Sequence, residues 1–121
     1  MRKHKELHVW QDAMTLVEVI YSLTSSFPNH ELFGLTGQMR RAAVSVPSNI
    51  AEGVARSTLA DYFRFLVFAR GSLSELDTQI DIAIRLGYVH NDAEMAELIE
   101  RTFARLNALI LSIDQKRKEL S

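Results

Sequence analysis

RRAAVSVPSNIAEGVAR, residues 40–56, carries the apolar spacing of a helix straight through a proline. Ala42, Val46 and Ile50 follow Met39 at three- and four-residue intervals, the period of one helix face, and Pro47 leaves their phase unchanged. Inside a helix a proline removes one donor and crowds the carbonyl four residues back, here Ala43, at a cost of ~3 kcal/mol. Ser45 and Ser48 flank the proline and are placed to take up the loosened backbone groups. The expectation is one kinked but continuous helix, not two helices and a loop.

Working outward, this second helix covers about 31–54. Leu32 and Leu35 extend its inner stripe, while Gln38, Arg41, Ser45, Ser48 and Glu52 face outward. Gly53 is a natural left-handed terminus for it. Upstream, "FPNH" breaks the periodicity at Pro28, and Asn29 can cap the helix that follows. Before the break lies a first helix over about 9–26. Its stripe of Trp10, Met14, Val17 and Tyr21 runs beside a second of Ala13, Leu16, Ile20, Leu23 and Phe27, opposite Gln11, Thr15, Glu18, Ser22 and Ser25.

Downstream, Ser57 can cap a third helix over about 58–87. Leu59, Leu66, Leu73, Leu76, Ile80 and Ala83 point inward, yet Phe63, Phe65, Val67 and Phe68 point in nearly every direction, so this turn needs burial from more than one side. Gly87 closes it, and Asn91 or Asp92 opens a fourth helix over about 92–117. There Met95, Ile99, Phe103 or Thr102, Leu106, Ile110 and Ile113 repeat in heptad fashion. Four helices with short connections make an all-α, antiparallel up-down-up-down four-helix bundle, a single domain over 1–121 with no repeat or linker.

Composition narrows the function. With 14 Lys and Arg against 15 Asp and Glu, the formal charge is -1, so any nucleic-acid site must be a local patch. Cysteine is absent, which removes disulfides, thiolate metal sites and cysteine nucleophiles. The basic N-terminus lacks the apolar run of a signal peptide, and no segment has membrane-spanning length, so a cytoplasmic, soluble protein is expected.

Catalytic constellations are hard to assemble. His4 and His8 have helical metal-ligand spacing but no third ligand nearby, and the chain contains no E-x-x-H pair of the kind that holds a di-iron site in a bundle. Glu52, Asp61 and Glu75 are candidate acid/base groups, but no nucleophile, oxyanion hole or phosphate loop accompanies them. No catalytic residue, metal, cofactor or small-molecule substrate is inferred. A metal-dependent enzyme stays open as an alternative that stoichiometric metal in purified protein would reveal.

VWQDAMTLVEVIYSLTSSFP, ELFGLTGQMRRAAVSVPSNIAEGVARS, RFLVFARGSLSELDTQI and LGY, in this order, resemble the bacterial four-helix-bundle proteins encoded by intervening sequences in 23S ribosomal RNA genes. The resemblance spans roughly residues 7–115. Its most specific block is Gln38, Arg40, Arg41, Ala42, Ser45, Pro47, Asn49, Ile50, Ala51, Glu52 and Gly53. It implies a small bundle that assembles as a closed homo-oligomer, typically a pentamer. A related branch, the accessory variability proteins of diversity-generating retroelements, implies RNA or a reverse-transcriptase-like protein as partner. No enzymatic activity is carried over.

Two sets of candidate residues follow. Gly34 and Gly37, and Gly71 beside Ser72, remove side-chain bulk at about 0.5–1 kcal/mol each relative to alanine. Close helix approach is the expected compensation. With Phe65, Phe68 and Arg70, the first two glycines are candidates for an oligomer interface; the alternative is a thick monomer core. Arg40, Arg41, Arg56 and Arg64, with Lys116, Arg117 and Lys118, are candidate phosphate contacts. The competing reading is structural: Arg64 lies one turn from Asp61, Arg70 needs a carboxylate such as Glu52 or Glu75, and the terminal cations are solvated chain ends. Asp92, Glu94, Glu97 and Glu100 make the fourth helix repel phosphate on its outer face. A purely structural adaptor for a protein partner is therefore the alternative function.

Overall fold

The computed structural model of the chain describes residues 2–120. Among them are four α-helices and no strand: α1, His8–Thr24; α2, Leu35–Val54; α3, Leu59–Arg85; α4, Ala93–Glu119. Short 3-10 turns at Lys3–Glu6 and Asn29–Glu31 precede α1 and α2. One core joins all four helices, with Leu16 and Ile20 from α1, Val46 and Ile50 from α2, Leu73 and Leu76 from α3, and Leu106 and Ile110 from α4. Late α2 meets early α3 where Gly53 lies under Tyr62 and Phe65. Late α4 meets early α3 where Arg117 covers Phe63.

α2 is helical through Pro47 without interruption. Pro47 is itself buried, so its ring packs in the core even though it donates no hydrogen bond. The flanking serines act differently from the expectation. Ser45 Oγ shares a 2.8 Å hydrogen bond with Ser72 Oγ of α3 and accepts one of 2.8 Å from Asn49 Nδ2, which also donates to the Ser45 carbonyl at 2.9 Å. This polar junction pins α2 to α3 one turn from the proline. Ser48 is exposed instead.

The helix ends refine the sequence reading. α2 begins at Leu35 rather than near 31 because Gly34, at φ -108 and ψ -116, is not helical. Leu32, which continues the apolar phase, is consequently 50% exposed, and neighbouring Phe33 is 94% exposed. Asn29 does not cap α2; the Glu31 carboxylate accepts the Leu35 N–H at 3.2 Å instead. Thr58, not Ser57, caps α3 by accepting from the Asp61 N–H. Asp92 caps α4, accepting from Glu94 and Met95.

Gly53 is not a left-handed terminus, since α2 continues through Val54. It is a close-approach residue: a Cβ there would sit 3.1 Å from Phe65 Cβ and 3.2 Å from the Tyr62 carbonyl oxygen. Gly87 does take the left-handed conformation, at φ 78. Its N–H bonds the Ile84 carbonyl and the Tyr88 N–H bonds the Ala83 carbonyl, the paired pattern that seals a helix C-terminus.

On α1, Val9, Ala13, Leu16 and Ile20 form the buried row, whereas Met14 and Tyr21 remain exposed. Several polar residues share the interior: Asp12, Thr24, Thr36, Gln79 and Thr102. Thr102 rather than Phe103 holds the inner position on α4, its hydroxyl donating to the Leu98 carbonyl at 2.7 Å.

Candidate functional site

The seven cations proposed as phosphate contacts divide between the two ends of the bundle. Arg40 sits near the start of α2, where its Nε donates to Thr24 Oγ1 at 2.9 Å and its guanidinium covers the Tyr21 ring at 4.7 Å. Arg41 is exposed one residue on. Arg56 and Arg64 lie at the α2–α3 corner, about 24 Å from Arg40 along a helix rising 1.5 Å per residue. Lys116, Arg117 and Lys118 end α4 on that same side of the molecule, since Arg117 stacks on Phe63 at 4.5 Å.

At the α2–α3 corner arginine and aromatic side chains interleave. Phe65 is flanked by Arg56, 4.6 Å from its centroid, and by Arg64 at 5.3 Å. Phe68 meets Phe65 edge-on with centroids 5.6 Å apart, and Arg64 is 5.8 Å from its centroid. Phe68 remains 49% exposed, a large ring edged by a cation and open to solvent. Such a surface can stack a base and neutralise the adjoining phosphate.

Carboxylates accompany these cations. Arg56 pairs with Glu52, and Arg64 pairs with Asp61 at 3.3 Å. Asp114 receives Arg117 at 2.6 Å and Lys118 at 3.1 Å, and the Arg117 hydrogen bond, followed by that of Lys118, holds its carboxyl below the ordinary aspartate range. The Arg56–Glu52 and Arg64–Asp61 pairs are exposed and i,i+4 or i,i+3 in spacing, worth a few tenths of a kcal/mol, so an incoming phosphate can displace them cheaply, whereas Asp114 and Arg117 are half-buried.

Negative charge collects elsewhere. Burial, then Asp81 and then Glu100 push the Asp77 carboxyl upward, marking an acidic ridge between α3 and α4. Asp77 is 13 residues beyond Arg64 on α3, about 20 Å along the axis. The acidic fourth helix thus turns its repulsive half away from the arginine–aromatic corner.

The candidate interface residues do not form one patch. Phe65 and Phe68 belong to the corner just described. Arg70 points across to α4 and donates to Asn107 Oδ1 at 3.1 Å, so its partner is an amide and not Glu52 or Glu75. Gly34 and Gly37 lie at the far end, where a Cβ would meet Glu31 Oε1 at 2.7 Å and the Leu32 carbonyl at 3.0 Å. Their lack of bulk serves the α2 start. At Gly71 a Cβ would meet nothing within 4 Å. It shares an outward stripe of α3 with half-exposed Phe68 and Ile82.

The groups considered for catalysis are separate or already engaged. Glu52 and Asp61 hold Arg56 and Arg64, while Glu75 accepts from the Gln79 amide at 3.1 Å. His4 packs edge-on against Trp10, with centroids 5.2 Å apart. Among the described residues no three His, Asp or Glu side chains converge as a metal-ion ligand set, and no helix is long and apolar enough to cross a membrane.

The family model described as 23S rRNA-intervening sequence protein matches residues 5–110, from the first 3-10 turn to late α4. No curated protein matches the chain.

Proposed function

This chain belongs to the 23S rRNA-intervening sequence protein family, and from that premise we propose that it is a non-enzymatic, cytoplasmic, homo-oligomeric module whose arginine–aromatic corner binds RNA. The observation that carries the reading is Phe68, half-exposed and edged by Arg64, beside a Phe65 ring that Arg56 and Arg64 both cover. One corner is too small for tight binding. A closed ring, a pentamer by family resemblance, repeats it around an axis and multiplies the phosphate contacts.

Fluorescence anisotropy with a labelled single-stranded RNA, titrated from low to physiological salt, tests this. The expected result is a log affinity falling linearly with log salt, at about 0.7 per neutralised phosphate. Phe68→Ala should lower affinity by about 1–3 kcal/mol through loss of base stacking. An intact oligomer that ignores RNA even at low salt would assign the arginines to their carboxylates. The protein would then be an adaptor for a protein partner, the reading that the Glu52, Asp61 and Asp114 pairs favour.

The oligomer has its own test. Gly71 costs α3 about 1 kcal/mol in helix propensity and returns nothing within the chain, which supports the outward stripe from Gly71 to Ile82, beyond the Phe68 ring, as the surface a second copy approaches. Gly71→Leu should leave the monomer folded with an undiminished Tm, yet shift the light-scattering mass to that of one chain. Retention of the wild-type mass would move the interface off this stripe.

A further inference from the structure

At the opposite end of the bundle, the corner between α1 and α2 encloses a small polar cavity of about 80 Å³. Thr24, Ser25, Asn29, Thr36 and Arg40 line it, with Leu32 on its apolar side. Three observations there define its chemistry. Thr36 is only 3% exposed, and its hydroxyl makes no hydrogen bond among the described residues while staying reachable from the cavity that it lines.

Arg40 is the second observation. Its Nε is spent on Thr24 Oγ1 at 2.9 Å, but the two terminal nitrogens have no acceptor, and no carboxylate lies within ion-pair range among the described residues. The guanidinium lies half-buried against the Tyr21 ring, so the fork is held in place with its terminal nitrogens unengaged. Third, Thr36 stands in the first turn of a 20-residue helix, and its own N–H and that of Gly37 find no carbonyl acceptor.

Thr24 cannot fill the gap. Its hydroxyl already donates to the Ile20 carbonyl at 2.7 Å while accepting from Arg40. Ser25 is likewise engaged, donating to the Ser22 carbonyl at 2.6 Å. The nearest acidic side chain in sequence, Glu31, is occupied by the Leu35 N–H at 3.2 Å and the Tyr88 hydroxyl at 2.9 Å and does not line the cavity. What is left over is a set of donors: the Arg40 fork, the Thr36 hydroxyl, and the exposed Asn29 amide at the mouth.

We propose that this corner is a binding site for one phosphoryl group, held by the Arg40 fork and the Thr36 hydroxyl beside the α2 N-terminus. At about 80 Å³ the cavity has room for a single tetrahedral oxyanion, and its open mouth leaves the rest of a phosphate ester in solvent. Donors converging from an arginine, a hydroxyl and a helix start are complementary to tetrahedral oxygens. The site is independent of the RNA-binding corner and stands or falls apart from it.

The test titrates inorganic phosphate into the full chain at constant ionic strength, held with chloride, and follows amide chemical shifts by NMR. Saturable shifts at Thr36, Gly37 and Arg40 are expected. Thr36→Val keeps the branched shape and should raise Kd at least about tenfold, the loss of one hydrogen bond to a charged group. Arg40→Gln should abolish saturation. Absence of saturable shifts in the wild type, or wild-type affinity in Thr36→Val, overturns the proposal and leaves a water-filled corner. A 5′-phosphorylated oligonucleotide that competes where its 5′-hydroxyl counterpart does not identifies an ester phosphate as the source; equal failure of both identifies the free anion.

Discussion

Leu73→Ala lowers the free energy of unfolding by about 2–5 kcal/mol, read from urea denaturation followed by circular dichroism. Leu73 is fully buried in the row of α3 that also holds Leu66, Leu76 and Ile80, and it shares one core with Val46 of α2 and Leu106 of α4. A helix walled in by neighbours has little freedom to collapse into a cavity, which places the loss high in that range. A measured loss under about 1 kcal/mol would mean that α3 does not occupy the centre of the core.

Gly53→Val is the second large effect, with a net loss of about 1–3 kcal/mol from overpacking. Helix propensity alone would favour replacing glycine by some tenths of a kcal/mol. Sterics reverse the sign, because Phe65 Cβ and Tyr62 Cδ1 stand 3.1 Å from the new Cβ and the Tyr62 carbonyl oxygen 3.2 Å. The carbonyl belongs to the α3 backbone and cannot rotate aside. Relief would require sliding the start of α3 away from α2 and opening the arginine–aromatic corner. A Tm equal to or above wild type would show that the two helices pack less closely here than the geometry states.

The contrast between these positions shows what a single sequence reveals. The continuity of α2 through Pro47 was legible because the apolar phase is local and survives the proline. The Gly87 terminus was legible for the same reason, lying where the pattern stops. The start of α2 was not: Leu32 keeps the phase, and only the non-helical backbone at Gly34 sets it outside the helix. Gly53 and Gly71 look alike in the sequence, yet one lies under Tyr62 and the other in open space.

Sites were legible as residue types and not as groupings. The arginines of α2 and α3 stood out, but the ring each covers depends on how helices cross: Phe63 lies 54 positions before Arg117 in the chain and against it in space. The buried polar residues were missed altogether. Nothing in the sequence sets Asp12 and Thr36 apart, since polarity carries no mark of burial until the packing around it is known.

Asp12, 8% exposed, receives Arg105 at 2.7 Å and Arg101 at 3.4 Å across separations of 93 and 89 residues. Contacts between α2 and α3 close a loop of a few residues, whereas this clasp joins the first helix to the last and can form only once nearly the whole chain is in place. The entropy of closing so long a loop is met late, after the local hairpins have collapsed. Asp12→Asn is therefore expected to speed unfolding more than it slows folding, a partition that the two arms of a urea chevron would read separately.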